Sequence, residues 1–436
     1  MISNCKIFIS IASYRDPELK PTIKSLLENA DYPDNLTFGI CWQHGSDEEL
    51  DAYKNDKRFK IIDVLWSNSK GCCWARSEIQ KLHTDESYYL QLDSHHRFIK
   101  GWDTVLIDMY KGLQKDGYNK PILTTYATSY DPKNSNNEGK AVEPYLMKVD
   151  RFSEGQILFR PEIIPNYESL TRSVKARFIS GHFIFTTGLF CKEIPYDPNI
   201  YFTGEEITLS IRAFTKGYSL FHPHKLILWH RYNRDYRITH WDDHNQENKK
   251  QKKVDATWYD RDKSSVNRVK KLLGQYENKD PKIDFGIYGF GPLKSLKDYE
   301  LYSGINFKNY KYQKYTFLGL EPPNPINTDI IWLPDDTEYS YEVKVSWLIQ
   351  DIHKCGESKD YLFWYIGIMD QNNKELYRYD LIYNDNKNIM IKDGEYLLKF
   401  KTNGQPYKFK IWPHSVTKQW LEQYDTVIKS QDIKKL

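Results

Sequence analysis

The chain has 436 residues, more than one hydrophobic core usually supports, so we expect two domains. Its 62 basic and 59 acidic residues leave a net charge of +3, which gives no global charge argument for binding nucleic acid or an anionic membrane. No run of about 18 apolar residues occurs, so no membrane span is expected. Six scattered cysteines lack the spacing of a zinc site or a disulfide framework, which favours a reducing, cytoplasmic setting.

The first part of the sequence alternates predicted strands with predicted helices. The strands are expected at residues 6–12, 36–43, 59–66 and 88–93, and the helices at residues 71–82, at residues 102–115 and after an N-cap at Asp16. Strands that are joined through helices form a mostly parallel sheet with helices on both faces. The sequence therefore predicts an α/β fold, in which ligands bind at the carboxyl ends of the strands.

The pattern changes after residues 321–330, a segment rich in Pro and Asn that is typical of a linker. Beyond it lie strand-like runs with many Tyr, Phe and Trp residues, separated by turn-rich pieces. We therefore predict an α/β domain over residues 1–320. A C-terminal, all-β, sandwich-like accessory domain is predicted over residues 326–436.

Metal-ligating side chains follow two of the predicted strands. The run LQLDSHHRF places Asp93 and His95 after a buried strand, and the run KLILWH ends in His230. Residues two apart in an extended segment point the same way, so Asp93 and His95 can converge on one ion while Ser94 faces away. A carboxylate with imidazoles suits a divalent ion such as Mn²⁺. Alone, however, a D-x-H motif is more often a helix cap with packed or solvated histidines.

Two acids stand at the start of another predicted helix. Gly204 precedes Glu205 and Glu206, and apolar residues follow them at helical spacing. One acid at a helix N-terminus is explained by the helix dipole, whereas a second asks for another reason. Together with Asp93, His95 and His230, the pair makes a candidate metal and sugar site. Both acids are expected to be ionised near neutral pH unless burial opposes it.

Several segments resemble the cytoplasmic polypeptide N-acetylglucosaminyltransferases of the hydroxyproline type. In the family's order they are SIASYRD (10–16), GCCWAR (71–76), YYLQLDSHHRFIKGWD (88–103), PYDPNIYFTGEEITLSIRAFTKGY (195–218), HRYNR (230–234) and YGFGPLKSLKDYELYSGINF (288–307). This family is similar in turn to the mucin-type polypeptide N-acetylgalactosaminyltransferases, which share the D-x-H metal motif.

The resemblance implies a GT-A fold, a UDP-sugar donor and a retaining transfer to a hydroxyl of a polypeptide or glycan. UDP-GlcNAc is the implied donor, with UDP-GalNAc, UDP-Glc and UDP-Gal as alternatives. It also implies Mn²⁺, or Mg²⁺, held by Asp93, His95 and His230, while His240 and His244 are rival candidates for the third ligand.

The remaining site residues follow from the same resemblance. The implied donor-binding residues are Ser13, Tyr14, Arg15, Arg76, Asp93, Ser94 and Arg234. Glu205 and Glu206 match acids near the sugar and the acceptor hydroxyl. Trp102 and Asp103 match a motif with an expected structural role, and His182 stands where an apolar residue is more usual.

Two other functions fit parts of the sequence. A metal-dependent hydrolase could use Asp93, His95 and His230, but such sites generally gather more ligands to hold two ions. A glycan-binding protein with weak catalysis could use the aromatic C-terminal domain. Release of UDP from UDP-sugars with added Mn²⁺ would favour the transferase over both.

Overall fold

The computed structural model describes residues 5–132, 141–153, 155–276, 283–325, 330–334, 339–382, 390 and 392–436. It divides into two compact units, Met1–Trp332 and Leu333–Leu436. Residues 326–329 of the predicted linker lie outside the described residues. None of the helices in the described part of the chain combines the length and apolarity that crossing a bilayer requires.

The elements of the first unit alternate between strands and helices up to residue 115. The strands are β1 (Ile7–Tyr14), β2 (Leu36–His44), β3 (Phe59–Leu65), β4 (Tyr88–Asp93), β5 (His96–Phe98), β6 (Pro121–Thr124), β7 (Thr128–Ser129), β8 (Tyr145–Ser153), β9 (Gln156–Ile163), β10 (Val174–Lys175), β11 (Phe183–Thr187), β12 (Ser219–His222), β13 (Leu228–His230), β14 (Ile305–Asn306) and β15 (Lys311–Gln313). The helices are α1 (Leu19–Asn29), α2 (Asp51–Lys54), α3 (Cys72–Gln80), α4 (Trp102–Lys115), α5 (Phe190–Glu193), α6 (Glu205–Thr215), α7 (His240–Asp243), α8 (Gln246–Lys250), α9 (Trp258–Leu272), α10 (Leu296–Ser303) and α11 (Lys314–Phe317).

An eight-stranded sheet forms the centre of this unit, in the order β10-β12-β6-β11-β4-β1-β2-β3. The pairs of β1 with β2 and β4, of β2 with β3, and of β6 with β12 are parallel, whereas β11 and β10 run antiparallel to their neighbours. Apolar residues of these strands and of α1 and α4 form one buried core. The predicted α/β fold class, with its mostly parallel sheet, is confirmed.

A smaller sheet, in the order β5-β13-β7, brings a distant segment to the end of β4. In the antiparallel pair of β5 and β13, His230 lies opposite His96. The backbone N–H of Arg231 also donates to the carbonyl of His95 over 3.1 Å. The carboxyl end of β13 therefore lies beside the polar residues that follow β4.

Trp102 and Asp103, at the start of α4, have the structural role that the sequence suggests. The Trp102 side chain is fully buried and its Nε1–H donates to the carbonyl of Leu26 over 3.0 Å. The Asp103 carboxylate accepts the backbone N–H groups of Asp31 and Tyr32, over 2.8 and 2.9 Å. Both residues thus join α4 to the last turn of α1 and the segment after it.

Among its described residues, the second unit consists of β-strands with one short α-helix and one short 3-10 helix (Ser430–Asp432). Its elements are β17 (Tyr339–Trp347), α12 (Ile349–Lys354), β18 (Tyr361–Met369), β19 (Glu375–Ile382), β20 (Gly394–Thr402), β21 (Lys408–Ser415), β22 (Gln419–Trp420), β23 (Tyr424–Val427) and β24 (Ile433–Lys435), and β16 (Trp332–Leu333) lies at the division between the units. One sheet has the order β20-β17-β24, and the other has β19-β18-β21-β22 with β23 beside β21.

The two sheets of the second unit share a buried core. Trp347 of β17 and Trp364 of β18 come from different sheets, and their ring centroids lie 5.8 Å apart. The predicted sandwich-like, all-β C-terminal fold is therefore confirmed.

Replacing Asp103 with Ala should lower the free energy of unfolding of the first unit by about 1–3 kcal/mol, because two backbone N–H groups lose their partner. Urea unfolding followed by circular dichroism measures this change. Asp108→Ala is the matched control, since Asp108 lies on the same helix with an exposed side chain and should change stability by no more than about 0.5 kcal/mol. Equal stability of both variants would contradict the structural role of Asp103.

Candidate active site

The carboxyl ends of β1 and β4 open onto a cavity of about 550 Å³, a size that suits a small ligand. Residues from distant parts of the first unit line it. They include Tyr14, Gln43, Arg76, Asp93, Ser94, His95, Tyr126, Gly181, His182, Glu205, Glu206, His230, Tyr232, Arg234, Arg237 and His240.

Three of the predicted metal ligands meet at one edge of this cavity. Asp93, His95 and His230 each offer a ligand atom, and these atoms lie within 4.8 Å of one another. Asp93 Oδ2 is 3.5 Å from His230 Nε2 and 3.8 Å from His95 Nε2. The pairing of β13 with β5 explains the arrangement, because it carries His230 back to the end of β4.

The state of the two histidines fits a divalent ion. His230 is buried, its Nε2 has Asp93 Oδ2 as a polar neighbour at 3.5 Å, and burial lowers the pKa of His230 well below its usual value. A neutral imidazole is the form that binds a metal. His95 Nδ1 lies 2.7 Å from Asp16 Oδ2, which leaves its Nε2 facing Asp93. A carboxylate behind a histidine in this way typically orients a metal ligand.

Asp16 is a site residue whose role the sequence pattern does not reveal. Its side chain is completely buried, and its Oδ2 also accepts the hydroxyl of Ser94 over 2.6 Å. Burial alone would raise the pKa of Asp16, but His95 and Arg237 outweigh it and hold the pKa well below the usual range. The N-cap of α1 is Glu18, two residues after the predicted Asp16, and Asp16 Oδ1 instead accepts the backbone N–H of Glu18 in the turn before the helix.

We call Asp93, His95 and His230 the metal-ligand group. Arg76 joins this group to the predicted acids Glu205 and Glu206. Its guanidinium is 2% exposed, lies 2.5 Å from Asp93 Oδ1 through Nη2 and contacts Glu205 Oε1 through Nη1. Burial would raise the pKa of Asp93, but His230 and Arg76 hold it well below its usual value. Asp93 therefore presents an anionic oxygen toward the two histidines.

Glu205 and Glu206 begin α6 next to one another but have different partners. Glu205 accepts the hydroxyl of Tyr196 over 2.7 Å in addition to contacting Arg76. Glu206 faces neutral donors, namely the backbone N–H of Gly181 at 2.9 Å and the hydroxyl of Tyr126 at 2.7 Å. Burial raises the pKa of Glu206 to about 7, so the exception stated for the predicted ionisation, that burial opposes it, applies to this acid.

The residues of the SIASYRD segment lie at different depths. Tyr14 lines the cavity, and its hydroxyl donates to Asp243 Oδ2 over 2.9 Å. Arg15 Nη1 lies 3.0 Å from the same oxygen. Within the described part of the chain, Ser13 and Arg15 do not line the cavity, and Ser13 is completely buried. Of the three predicted donor-binding residues Ser13, Tyr14 and Arg15, the structure thus brings only Tyr14 to the cavity wall.

Ser94 and Arg234, the other predicted donor-binding residues, both line the cavity. The Ser94 hydroxyl is held by Asp16, whereas the guanidinium of Arg234 lies over the ring of Trp241 at 5.2 Å. Ser94 follows β4 and Arg234 follows β13, so the two residues reach the cavity from different segments of the chain.

His240 and His244 do not join the metal-ligand group. His240 Nδ1 pairs with the hydroxyl of Tyr201 at 2.8 Å, and His244 Nε2 pairs with the carbonyl of Trp66 at 3.0 Å. Their rings stack on each other with centroids 3.8 Å apart. Among the described residues, only Asp93, His95 and His230 form a group of this kind.

His182, which the resemblance marks as unusual, packs against the metal-ligand group. Its ring centroid lies 4.4 Å from that of His230 and 5.2 Å from that of Tyr126. Its Nε2 accepts the backbone N–H of Ala127 over 3.0 Å, and burial lowers its pKa well below the usual value. His182 is therefore a neutral packing residue that supports His230.

The chain matches the sequence model of one known protein family. The model of a family described as "Glycosyltransferase (GlcNAc)" matches residues 6–58 and 46–309, most of the first unit. No curated protein matches the chain in sequence.

Among solved structures, GalNAc-T7 with UDP, GalNAc and Mn²⁺ is similar at 13% identity with a TM-score of 0.44, over 68% of this chain and 54% of that chain. The chain thus spans about half the length of that relative. S. aureus TarS 1-349 in complex with UDP-GlcNAc is similar at 15% identity with a TM-score of 0.31, over 52% of this chain and 59% of that chain. At these TM-scores the likeness carries no argument about function.

Because the pKa of Glu206 is raised, the change in the free energy of unfolding caused by Glu206→Gln should depend on pH. Because the folded pKa lies above that of the unfolded chain, the folded state binds more protons between about pH 4.5 and 7, and wild-type stability falls as the pH rises through this window. Glu206→Gln removes this loss, so its stability relative to wild type should increase by about 2 kcal/mol from pH 5 to pH 8.

Urea unfolding at intervals between pH 5 and 8 measures this difference. Glu28→Gln, at an exposed site, is the control and should show the same difference from wild type at every pH. A pH-independent effect of Glu206→Gln would show that the acid is not buried as described.

Proposed function

The chain belongs to the glycosyltransferase (GlcNAc) family, and from this premise we propose that it transfers N-acetylglucosamine from UDP-GlcNAc to a hydroxyl of a polypeptide or glycan. The observation that carries the proposal is the convergence of Asp93, His95 and His230 beside Glu205 and Glu206 in one cavity. Transfer from a nucleotide-sugar needs ligands for a cation and acids that bind the sugar, and these are the groups that converge here.

Asp93, His95 and His230 would hold the divalent ion in this function. Their mixed oxygen and nitrogen ligands favour Mn²⁺ over Mg²⁺, which prefers oxygen alone. When bound, the ion supplies electrostatic stabilisation of the negative charge that develops on the departing UDP. Asp16 orients His95 and Arg76 fixes Asp93, so the ligands are held in place before the ion arrives.

The predicted donor-binding residues are proposed to act in two ways, some by direct contact with the donor and others by holding the contacting residues in place. Tyr14 and Arg234 line the cavity and would contact the nucleotide directly. Ser13 and Arg15 would act from behind Tyr14, by fixing the end of β1. Ser94 would act through Asp16, which it shares with His95.

We propose that the transfer retains the anomeric configuration. In a retaining transfer no carboxylate base is required, because a phosphate oxygen of the departing UDP can take the acceptor's proton on the face where the new bond forms. Glu205 and Glu206 would then orient the sugar by hydrogen bonds and stabilise positive charge at its anomeric carbon. The contacts of Glu205 with Arg76 and Tyr196 hold its carboxylate in a fixed position for this role.

The two parts of the chain would divide these tasks. Residues 1–320, which contain every residue named above, are the proposed catalytic domain, and residues 326–436 are the proposed accessory domain. The cytoplasmic location expected from the cysteine pattern stays a prediction.

Asp93→Asn should abolish Mn²⁺-dependent turnover of UDP-GlcNAc, because it removes an anionic metal ligand. We expect at least a hundredfold lower rate of UDP release and weaker Mn²⁺ binding in calorimetry. Asp108→Asn, at an exposed position, should match wild type in both measurements. Turnover that still depends on Mn²⁺ in a folded Asp93→Asn variant would contradict the metal assignment, and wild-type turnover of only another UDP-sugar would correct the donor.

The product of the wild-type reaction should carry an α-linked sugar, since the donor is α-linked and the transfer is proposed to be retaining. NMR of the purified product measures the linkage through the coupling constant of its anomeric proton. Glu206→Gln should give the same linkage with measurable turnover, because no carboxylate base is needed. A β-linked product, together with loss of activity in Glu206→Gln, would establish inversion with Glu206 as the base.

A further inference from the structure

Four aromatic side chains, two of them exposed and two half-buried, cluster on one face of the larger sheet of the C-terminal unit. We call Phe363, Trp412, His414 and Trp420 the aromatic platform. Trp412 is 38% exposed and Trp420 is 42% exposed, although large aromatic side chains are usually well buried. Neighbouring residues in a strand point to opposite faces, and Trp364 lies in the core, so Phe363 points outward. The platform thus lies on the side of the sheet that faces away from the sandwich core.

The rings of the platform support one another. Phe363 and His414 lie opposite each other on β18 and β21, with centroids 5.2 Å apart and planes within 7°. Trp420 stands nearly perpendicular to both, at 5.4 and 4.8 Å, and contacts Trp412 at 4.5 Å. The Nε1–H of Trp412 donates to the carbonyl of Leu421 over 2.6 Å. These contacts fix the rings, so a ligand that binds them loses little side-chain entropy.

A braced turn presents Trp420 to solvent. Gln419 has a φ of 60°, in the left-handed region that costs a non-glycine residue about 1 kcal/mol or more. The turn keeps this conformation because Asp360 accepts the hydroxyl of Ser415 over 2.7 Å and the backbone N–H of Thr417 over 3.0 Å. The chain thereby returns with Trp420 directly opposite His414.

We propose that the aromatic platform binds pyranose rings of an oligosaccharide, at a site separate from the catalytic cavity. The C–H bonds on one face of a pyranose carry weak positive charge and are attracted to the negative face of an aromatic ring. The hydroxyls of the sugar point outward and need polar neighbours. The ion pair of Arg378 and Asp380, 2.9 Å apart, provides such neighbours beside Tyr365, which lies opposite Trp412 in the sheet.

The size of the platform favours a sugar over a second copy of the chain. A Trp side chain offers about 250 Å² at most, so the exposed two fifths of Trp412 and Trp420 present about 100 Å² each. A stable protein interface buries about 800 Å² on each partner. The platform is therefore the size of one or two sugar rings and smaller than a dimer interface requires.

The test measures saccharide binding to the full chain by calorimetry, without donor or metal. The probes are triacetylchitotriose, maltotriose and xylotriose. At least one should bind with millimolar affinity or better, and Trp412→Ala and Trp420→Ala should each weaken that binding at least tenfold. Trp420→Phe keeps an aromatic face and should retain part of the affinity. Trp258→Ala is the matched control, because Trp258 is 38% exposed on α9 in the other unit and should bind the saccharide as wild type does.

Each other outcome decides against the platform. Binding of none of the three saccharides, or full affinity in both alanine variants, would overturn the proposal. Sedimentation that shows a wild-type dimer and a Trp420→Ala monomer would assign the face to a second copy instead. Bound saccharide that UDP and Mn²⁺ displace would place it in the catalytic cavity. Because the assay contains no donor, its result is independent of whether the proposed transfer occurs.

Discussion

The buried guanidinium of Arg76 is the contact on which the candidate active site depends. It lies between Asp93, at the end of β4, and Glu205, at the start of α6, and it is almost completely removed from solvent. A buried charge without a partner costs several kcal/mol, so none of the three side chains can leave the arrangement cheaply. Asp93 and Glu205 are consequently held in a fixed relation, although they belong to different elements of the fold.

In Asp93 and Asp16 the two carboxylate oxygens have different partners. Asp93 gives Oδ1 to Arg76 and leaves Oδ2 toward the histidines. Asp16 gives Oδ1 to the backbone N–H of Glu18 and Oδ2 to His95 and Ser94. In each case one oxygen binds a group that holds the carboxylate in place, and the other oxygen lies toward a histidine of the metal-ligand group. This arrangement fixes the direction of the ligand atoms, which a metal site requires as much as their identity.

The sequence predicted the parts of the site that depend on strand periodicity. Asp93 and His95 lie at the end of a buried apolar run, so alternation along the strand predicted that their side chains share one side. His230 also ends a buried run, but its approach to them depends on the pairing of β13 with β5 in the smaller sheet. The α/β order of elements and the change to strands in the C-terminal unit are local patterns of the same kind. The structural role of Trp102 followed from a motif and is supported by its burial.

Other parts of the site depend on contacts between residues far apart in the chain. The contact of His95 with Asp16 and that of Glu206 with Tyr126 join segments about 80 residues apart, which no local pattern specifies. The depth of Ser13 and Arg15 behind Tyr14 likewise follows from packing. Around Phe363 the register of β18 against β21 shifts, so simple alternation from residue 361 would have misplaced the platform.

The neighbouring acids show how tertiary contacts give two identical side chains different chemistry. Glu205 faces a cation, whereas Glu206 faces an N–H and a hydroxyl, and burial raises the pKa of Glu206 to about 7. Near neutral pH Glu206 is therefore partly protonated, and its carboxyl can donate as well as accept a hydrogen bond. Under the proposed function a diphosphate would enter this cavity together with a divalent ion, whose positive charge would offset the negative charge of the phosphates. The two neighbouring acids thus offer the sugar unlike partners on one helix start, a carboxylate bound to Arg76 and a carboxyl held by neutral donors.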